Sequence, residues 1–477
     1  MSGFDDFSAY DGLGLADLVR TGQVRPGEIL DAAIARIESL NPRLNAVVHT
    51  MYDEARRTIA AGLPKGAFAG VPFMLKDLSA LYEGAPTTNG SRLFAGCVAD
   101  HDSEIIRRYR AAGLVVIGKT NTPEFGLNVT TEPVMHGPAR NPWDPGRNPG
   151  GSSGGAAAAV ASGMVPMAHA TDGAGSIRIP AAACGLFGLK PTRARNPPGP
   201  DAGEAWSGLK AEHAVTRTVR DSAALLDATN GAAPGDPYQA PPPARPFLEE
   251  VGADPGRLRI AFFTAAPGGV PTDRECAAAV AEAAALCADL GHAVEEAAPR
   301  IDTDDMGFAL RVIVAANVRV LIDDRARALG REATRDDVET VTWLIAEEGR
   351  ALTAAEYARA VKLMHGVGRR LCEFLEPYDL VLTPTLARPP LPLGALDMMG
   401  GDLDAYCAEA LAYAPFTAMF NFSGQPAASV PLHWTADGLP VGVQFAARFG
   451  DEATLFRLAA QLEQAKPWKD KRPPVWG

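Results

Sequence analysis

Three segments of the sequence carry side chains that could act together in catalysis. Lys76 follows the apolar run VPFML in the segment VPFMLKD. Ser152 and Ser176 lie in the glycine-rich stretches PGGSSGG and TDGAGSIRIP. Because glycine lets the backbone approach a ligand closely and adopt positive φ angles, a serine in such a stretch is accessible and has backbone N–H groups nearby. Such N–H groups are the physical requirement for an oxyanion hole. The pattern is therefore compatible with serine-based catalysis at a carbonyl group.

Other interpretations of the glycine clusters stay open from these residues alone. A glycine cluster is most often a turn. GGSSGG lacks the Lys-Ser/Thr ending of a phosphate-binding P-loop, and DGAGSIR does not match GxGxxG. Residues 151–155 do satisfy GxSxG, which would make Ser153 the nucleophile of an α/β-hydrolase with a histidine partner. The preceding RNPG is typical of a loop, however, and a nucleophile elbow requires a strand there.

A long stretch around both serines resembles a known enzyme family. Residues 146–192 read GRNPGGSSGGAAAAVASGMVPMAHATDGAGSIRIPAAACGLFGLKPT, which is similar to the defining segment of the amidase signature family. VPFMLKD and GKTNTPEFG support the resemblance upstream, as do FNFSGQPAASVP and DGLPVGVQF downstream. Within the family, the TTEP, NPW, GAGS and QLEQAKPW segments are most similar to the 6-aminohexanoate cyclic-dimer hydrolases. The resemblance is weakest across 195–255 and 300–410.

The resemblance implies a role for each of the three segments. Lys76 matches the catalytic lysine, Ser152 the bridging serine that the family holds on a cis peptide, and Ser176 the nucleophile. A serine hydroxyl is a weak nucleophile until a base removes its proton. Lys76 would be that base, acting through Ser152. Because lysine is a base only when neutral, we expect burial beside the apolar run 71–75 to lower its pKa.

The loop before Ser176 is expected to bind the oxyanion. The resemblance assigns this hole to the backbone N–H groups of four consecutive residues, Gly173, Ala174, Gly175 and Ser176. Many family members have glycine in place of Ala174, and a positive φ there would strain the loop. We expect that the position needs none, because similar relatives share the alanine. The resemblance also implies that Asp172 and Arg178 brace the loop and that Ser153 supplies a supporting hydroxyl.

Further candidates lie near the expected site, in positions where a structural role is favoured over substrate contact: Asn128, Cys184, Tyr413 and Asn421. His169 precedes the catalytic loop, and we expect it to be a packed residue without a catalytic role. The eight histidines are scattered and none falls in a metal-ligand pattern, so no metal or cofactor is expected.

The elements that would position these residues alternate between helix and strand, which predicts an α/β fold. Helices are predicted in the first 45 residues and at 103–112, 156–162, 277–290, 306–376 and 452–462. Strands are predicted at 70–75, 114–117, 258–263, 293–295, 379–382, 427–431 and 441–446. Residues 193–213 and 231–256 are Pro/Gly-rich and predict connectors. The resemblance implies an amidase signature fold, with a central mixed sheet covered on both sides by helices. It forms one domain over 1–477, with a core at about 60–220 and 420–465 and a helical cap at about 300–415.

Composition and charge indicate which classes of binding partner and which cellular compartment to expect. The chain has 477 residues with 47% hydrophobic and 21% charged residues, which indicates a folded globular protein. A formal charge of −12 disfavours nucleic acid as a partner. The N-terminal segment resembles no signal peptide, and no apolar run is long enough to span a membrane. The six cysteines form no CxxC pair and are expected to be reduced thiols in a cytoplasmic protein. The family resemblance makes a homodimer possible.

Three functional hypotheses follow. The first is an amidase that forms an acyl-enzyme on small cyclic or linear amides, such as the 6-aminohexanoate cyclic dimer. The second is an amidotransferase subunit that uses the same residues to release ammonia from glutamine for a partner enzyme. The third is a non-catalytic binding protein, against which the intact Lys-Ser-Ser set argues.

Overall fold

A computed structural model describes residues 4–477 of the chain, and one mixed sheet of eleven strands runs through them. In chain order the strands are β1 (Val47–Thr50), β2 (Pro72–Lys76), β3 (Val115–Thr120), β4 (Met167–Asp172), β5 (Phe187–Lys190), β6 (Ala211–Thr216), β7 (Arg259–Phe262), β8 (Ala293–Glu296), β9 (Leu380–Pro384), β10 (Ala427–Trp434) and β11 (Pro440–Ala447).

The strand order across the sheet is β1-β3-β2-β4-β6-β5-β10-β11-β9-β7-β8. Parallel pairs join β2 to β3 and β4, and join β7 to β8 and β9. Antiparallel pairs connect the strands from β4 to β9 through the middle of the sheet. Because β2 and β4 are parallel neighbours, Lys76 and Asp172, the last residues of these strands, lie at the same edge of the sheet.

Fourteen helices flank this sheet, so the α/β fold predicted from the sequence is confirmed. They are α1 (Gly12–Arg20), α2 (Pro26–Leu44), α3 (Tyr52–Ala61), α4 (Glu104–Ala111), α5 (Gly154–Ala161), α6 (Arg178–Cys184), α7 (Val219–Thr229), α8 (Arg274–Asp289), α9 (Thr303–Leu329), α10 (Thr340–Ala351), α11 (Ala354–Phe374), α12 (Leu403–Tyr413), α13 (Ala418–Ser423) and α14 (Glu452–Ala465). No helix within 4–477 is both long and apolar enough to cross a bilayer.

Helix α5 shows why the sequence after Ser153 consists of small residues. All eight residues of the helix are buried. A Cβ atom on Gly154 would lie 2.3 Å from the Thr131 hydroxyl oxygen, and one on Gly155 would lie 2.3 Å from the Asn121 backbone nitrogen. Glycine and alanine therefore let the helix pack directly on its neighbours, which fixes the position of the serines that precede it.

The strands and helices predicted from hydrophobic patterns are present within a few residues of their expected bounds. β1 and β5 were not predicted, and neither were two strands beside the site, β4 (MAHATD) and β6 (AEHAVT). Their small and polar residues lack the run of β-branched and aromatic side chains typical of strands. β6 begins at Ala211, inside the region predicted as a connector, so the prediction for 193–213 was wrong at its end.

The region expected to form a helical cap is mostly helical. Helix α9 packs against α10 and α11, and a buried cluster that includes Val318, Ile322 and Val341 fills the space between α9 and α10. The same region also supplies β9, which pairs with β7 and β11 in the central sheet. It is therefore joined to the core by a strand as well as by helix packing.

Candidate active site

Lys76 ends β2 and is fully buried. Its Nζ lies 2.6 Å from Ser152 Oγ and 2.9 Å from Thr171 Oγ1. Both contacts are neutral hydroxyls, and no carboxylate in residues 4–477 lies within salt-bridge distance of Nζ. Burial lowers the pKa of Lys76 well below its usual value, and the positive charge of Lys210 lowers it further. The sequence-based expectation of a buried lysine with a lowered pKa is therefore met.

Ser152 follows a cis peptide bond between Gly151 and Ser152, as the family resemblance implies, and it is almost completely buried. The backbone around it is tightly enclosed. A Cβ atom on Gly151 would lie 2.3 Å from the Thr130 carbonyl oxygen, and one on Gly126 would lie 3.1 Å from Ser152 Oγ. Glycine at both positions allows the hydroxyl to reach Lys76.

Ser153 is completely buried and faces β4, away from solvent. Its Oγ donates to the Thr171 carbonyl oxygen at 3.3 Å and accepts from the Thr171 backbone N–H at the same distance. The segment before it is a loop and not a strand. This geometry fits a supporting hydroxyl and does not fit the exposed serine of a nucleophile elbow.

The loop after β4 is organised by the Asp172 carboxylate. It accepts the backbone N–H of Gly175 at 2.8 Å and that of Ile177 at 3.1 Å. The Gly175 N–H is thus already used in this structure, which argues against its predicted place in the oxyanion hole. In residues 4–477, no acceptor is present for the backbone N–H groups of the other three members of the predicted set, Gly173, Ala174 and Ser176.

Backbone geometry in this loop agrees with its sequence. Gly175 has a φ of 134°, and a Cβ atom there would lie 2.4 Å from Thr417 Oγ1. Ala174 is not among the residues with positive φ, as expected from the sequence. Its carbonyl oxygen accepts a hydrogen bond from Thr417 Oγ1 at 2.6 Å. The loop is therefore held from the α13 side as well as by Asp172.

Asp172 and Arg178 form a completely buried ion pair, with Arg178 Nη2 2.9 Å from Asp172 Oδ1. Burial alone would raise the pKa of Asp172, but the guanidinium and hydrogen bonds hold it well below its usual value. Arg178 also donates to Gln444 Oε1 at 2.6 Å and to Asn421 Oδ1 at 2.7 Å. Asn421 in turn donates to Asp172. The bracing roles implied for this pair match its contacts.

Ser176 lies between Asp172 and Arg178 on this loop and is partly exposed. Its hydroxyl has no hydrogen-bond partner among residues 4–477, so the structure joins Lys76 to Ser152 but does not join Ser152 to Ser176. Catalytic hydrogen bonds are often long in the absence of substrate and tighten when it binds. The third member of the set is thus partly accessible, and its contact with Ser152 stays a prediction.

The remaining candidates differ in their distance from this loop. Asn421 contacts it directly. The Asn128 amide donates to the Leu396 carbonyl at 3.1 Å and accepts from the Thr130 N–H at 3.2 Å, so its contact with substrate stays a prediction. Cys184 and Tyr413 are buried, and their side chains pack away from solvent.

His169 is buried on β4 and packs edge-on against Tyr109. Its Nδ1 accepts the Lys76 backbone N–H at 3.3 Å, and burial lowers its pKa. This is the packed role expected from the sequence. Among the residues described, no group of three or more histidine, cysteine, aspartate or glutamate side chains could hold a metal ion.

Three residues of the site were not singled out from the sequence: Thr171, Thr417 and Gln444. Thr171 immediately precedes Asp172 in the glycine-rich segment, and Gln444 lies in DGLPVGVQF, so both were within segments already noted for their resemblance. Thr417 lies just before α13, between the region of weak resemblance at 300–410 and the similar segment FNFSGQPAASVP, where no sequence signal marks it. Its contact with the loop depends on the fold alone.

Comparison with known proteins shows the family of this chain. The family model described as Amidase matches residues 28–456. The 6-aminohexanoate-cyclic-dimer hydrolase of Paenarthrobacter ureafaciens is 42% identical, over 98% of this chain and 96% of that protein. A solved structure of 6-aminohexanoate cyclic dimer hydrolase complexed with substrate is 40% identical and superposes with a TM-score of 0.95, covering 99% of this chain and 100% of that one. A bacterial aryl acylamidase structure is 29% identical, with a TM-score of 0.88 and 97% coverage of both chains. The chain belongs to the amidase family and is an enzyme that hydrolyses carbon–nitrogen bonds of amides.

Proposed function

We propose that the chain hydrolyses amides through an acyl-enzyme on Ser176, with Lys76 as the base that acts through Ser152. The observation that carries the proposal is the environment of Lys76 Nζ, which is buried and contacts two hydroxyls without a carboxylate. An ammonium group in such a place is disfavoured, and the neutral amine has a lone pair that can accept a proton. It can donate to Thr171 while it accepts the Ser152 hydroxyl.

The first half of the reaction forms the acyl-enzyme. Ser176 Oγ attacks the amide carbon and gives its proton to Ser152 Oγ, while Ser152 gives its own proton to Lys76 Nζ. The carbonyl oxygen then becomes an oxyanion. We assign its stabilisation to the free backbone N–H groups of Gly173, Ala174 and Ser176. Fixed donors of this kind lower the barrier without reorganising during the reaction.

The second half releases both products. The proton on Lys76 returns through Ser152 to the departing nitrogen, because an amide anion is too poor a leaving group to depart unprotonated. A water molecule then attacks the acyl carbon and gives a proton to the same relay. The carboxylic acid leaves, and Ser176 regains its hydroxyl. The relay thus serves as base and acid in turn.

Asp172 and Arg178 support this chemistry by holding the loop in place. The carboxylate binds two backbone N–H groups of the loop, while the guanidinium ties Asp172 to Asn421 and Gln444. Because the Gly175 N–H points at Asp172, the neighbouring peptide groups are turned in a fixed direction. We propose that this arrangement leaves their N–H groups aimed at the substrate.

We propose small amides as substrates, cyclic or linear, including oligomers of 6-aminohexanoate. Support comes from the curated relative of that activity, which matches 98% of this chain. Hydrolysis of a graded panel of amides, with the cyclic dimer, linear oligomers, aryl amides and glutamine, would be compared by kcat/KM. Preference for glutamine over all others would favour the amidotransferase alternative and contradict this assignment.

The nucleophile is tested by trapping the covalent intermediate. A fluorophosphonate or a slowly hydrolysed amide would be mixed with the protein, which is then digested and examined by mass spectrometry. The adduct is expected on the peptide that contains Ser176. An adduct on the peptide that contains Ser152 and Ser153 would remove Ser176 from its proposed role, and no adduct at all would favour a non-catalytic protein.

We further propose a homodimer in the cytoplasm and one domain over 1–477, whose helical region at about 300–415 covers the site. Support for a reducing compartment comes from the cysteines, all six of which are free thiols. Support for one domain comes from β9, which carries the 300–415 region into the central sheet. Light scattering of the purified protein, cell fractionation and limited proteolysis test the three points separately.

A further inference from the structure

A partly buried ion pair lies beside the proposed base. Lys210 Nζ is 2.5 Å from Glu212 Oε1, and their side chains are 16% and 10% exposed. Glu212 lies on β6 directly opposite Thr171 of β4. Thr171 in turn contacts Lys76 Nζ at 2.9 Å. The pair is thus one residue away from the amine that must exchange protons.

His169 connects the same pair to Lys76 by a second route. Its Nδ1 accepts the Lys76 backbone N–H, so the proton of the neutral ring is on Nε2. Nε2 lies 3.5 Å from Glu212 Oε2. Lys210 is also fixed on its other side, because Nζ donates to Ser79 Oγ at 2.8 Å. The pair therefore has a defined position relative to the base.

The charged groups that act on Lys76 are few. They are Lys210 and Glu212 from the β6 side and Asp172 from β4, whereas His169 is neutral. Asp172 is matched by Arg178 in its own buried ion pair. Asp172 is the larger of the two negative influences on the amine, but it also holds the oxyanion loop. The side chains of Lys210 and Glu212 contact Ser79, His169 and each other, so their charges can be changed without removing a bond to that loop.

We propose that Lys210 and Glu212 set the proton affinity of Lys76, with Lys210 favouring the neutral amine and Glu212 favouring the ammonium form. This inference rests on the proposed function, because it assigns a purpose to a neutral Lys76. Both are positioning residues, since neither touches the nucleophile. Burial weakens the amine as a base, and the negative charges of Asp172 and Glu212 oppose that effect. The positive charge of Lys210 acts in the same direction as burial.

The pH dependence of labelling tests this directly and needs no natural substrate. The second-order rate constant for a fluorophosphonate probe would be measured against pH for wild type, Lys210→Met, Glu212→Gln and the double variant. The rate falls on the acid side as Lys76 becomes protonated. Loss of Lys210 should move that limb to higher pH, and loss of Glu212 to lower pH, each by about one pH unit, as expected for a nearby charge.

The double variant and a conservative variant separate electrostatics from damage to the fold. The double variant should return the limb close to its wild-type position, because both charges are gone. Lys210→Arg should keep it in place, because the charge is kept. Lys65→Met and Glu296→Gln change exposed side chains elsewhere and serve as controls without an expected shift. Shifts of both single variants in one direction, or no shift in correctly folded variants, would overturn the proposal.

Lys76→Met distinguishes this failure from failure of the proposed function. If Lys76→Met still labels with an unchanged acid limb, Lys76 is not the base and the proposed function itself fails. If Lys76→Met abolishes labelling while the limb of folded Glu212→Gln stays at its wild-type pH, only the role of the ion pair is lost. A Lys210→Met variant that does not fold leaves Glu212→Gln to decide.

Discussion

The site contains two completely buried basic side chains, Lys76 and Arg178, whose surroundings differ in charge. Arg178 is matched by the Asp172 carboxylate at 2.9 Å and by two side-chain amide oxygens. In residues 4–477, the hydrogen-bond partners of the Lys76 amine are two hydroxyls. Burial penalises a charge in both places. Only Arg178 is given a counter-charge, so it remains a fixed cation, whereas the pKa of Lys76 is lowered well below its usual value.

The difference shows that partners, more than burial, decide what a buried basic residue can do. Arginine keeps its proton at all accessible pH values and offers a planar set of donors, which suits it to hold a loop in one shape. Lysine changes its protonation state readily when desolvated, which suits it to exchange a proton. Arg178 therefore serves structure and Lys76 serves the proposed chemistry, although both side chains are completely buried.

The largest loss of activity is expected from substitution of Ser176, the proposed nucleophile on the loop that Asp172 and Arg178 hold. Ser176→Ala should lower hydrolysis by about a million-fold, as for nucleophile loss in other serine hydrolases, and should abolish probe labelling. Ser153→Ala is the matched control, because it removes a buried hydroxyl that contacts only the Thr171 backbone. It should keep appreciable labelling. Full labelling of Ser176→Ala with loss in Ser153→Ala would support the nucleophile elbow.

Lys76→Met removes the buried amine that has no counter-charge. Without a base, hydrolysis should fall by about 100-fold to 10,000-fold, and the acid limb of the pH profile should disappear. Lys119→Met is the matched control, since Lys119 is also buried, on the adjacent strand, and its pKa is lowered to about 8. Its amine contacts Ala80 and Thr87 and no serine of the site. A rate within a few-fold of wild type for Lys76→Met would exclude it from the mechanism.

Arg178→Met removes the buried cation that has a counter-charge, and it leaves Asp172 buried without its partner. Such a change should lower the free energy of unfolding by about 3 to 5 kcal/mol. Arg311→Met is the control, because Arg311 is 43% exposed and pairs with Glu348 and Asp404 at the surface. It should cost no more than about 1 kcal/mol. Denaturant unfolding at neutral pH measures both, and equal losses would show that burial of the Arg178 pair has no special weight.

The sequence was sufficient for the general fold and for the buried contact between Lys76 and Ser152, whereas the role of Ser176 stays a prediction. Weak helical periods predicted the region of α9 to α11, and the resemblance matched Lys76, Ser152 and Ser176 to the family's motifs. What it could not provide was the direction of each backbone N–H. The Gly175 N–H turns toward Asp172, and nothing in the letters GAGS distinguishes that peptide group from its neighbours. Such direction is set by contacts with residues distant in sequence, such as Thr417.

β4 and β6, the two unpredicted strands beside the site, were also missed because contacts distant in sequence determine them. β4 is buried along its whole length. Its alanines and polar residues fit between the neighbouring strands β2 and β6, although their strand propensity is low. Tertiary packing thus outweighed the local preference of the residues. For that reason Thr171 and Glu212, which face each other across β4 and β6, were hidden from pattern analysis.

The smallest loss of activity is expected at Thr171, whose hydroxyl contacts the Lys76 amine where a counter-ion would otherwise lie. Thr171 Oγ1 lies 2.9 Å from Lys76 Nζ and gives the neutral amine a place to donate, which turns its lone pair toward Ser152. Thr171→Val keeps the shape and removes the acceptor. Loss of one such hydrogen bond costs about 1 kcal/mol, which corresponds to a roughly five-fold lower kcat/KM. Thr171→Ser keeps the hydroxyl and should recover most of the rate. If Thr171→Val matched wild type across the acid limb, the amine would be aimed by Ser152 alone, and the neutral contacts of Lys76 would matter only for excluding a counter-charge.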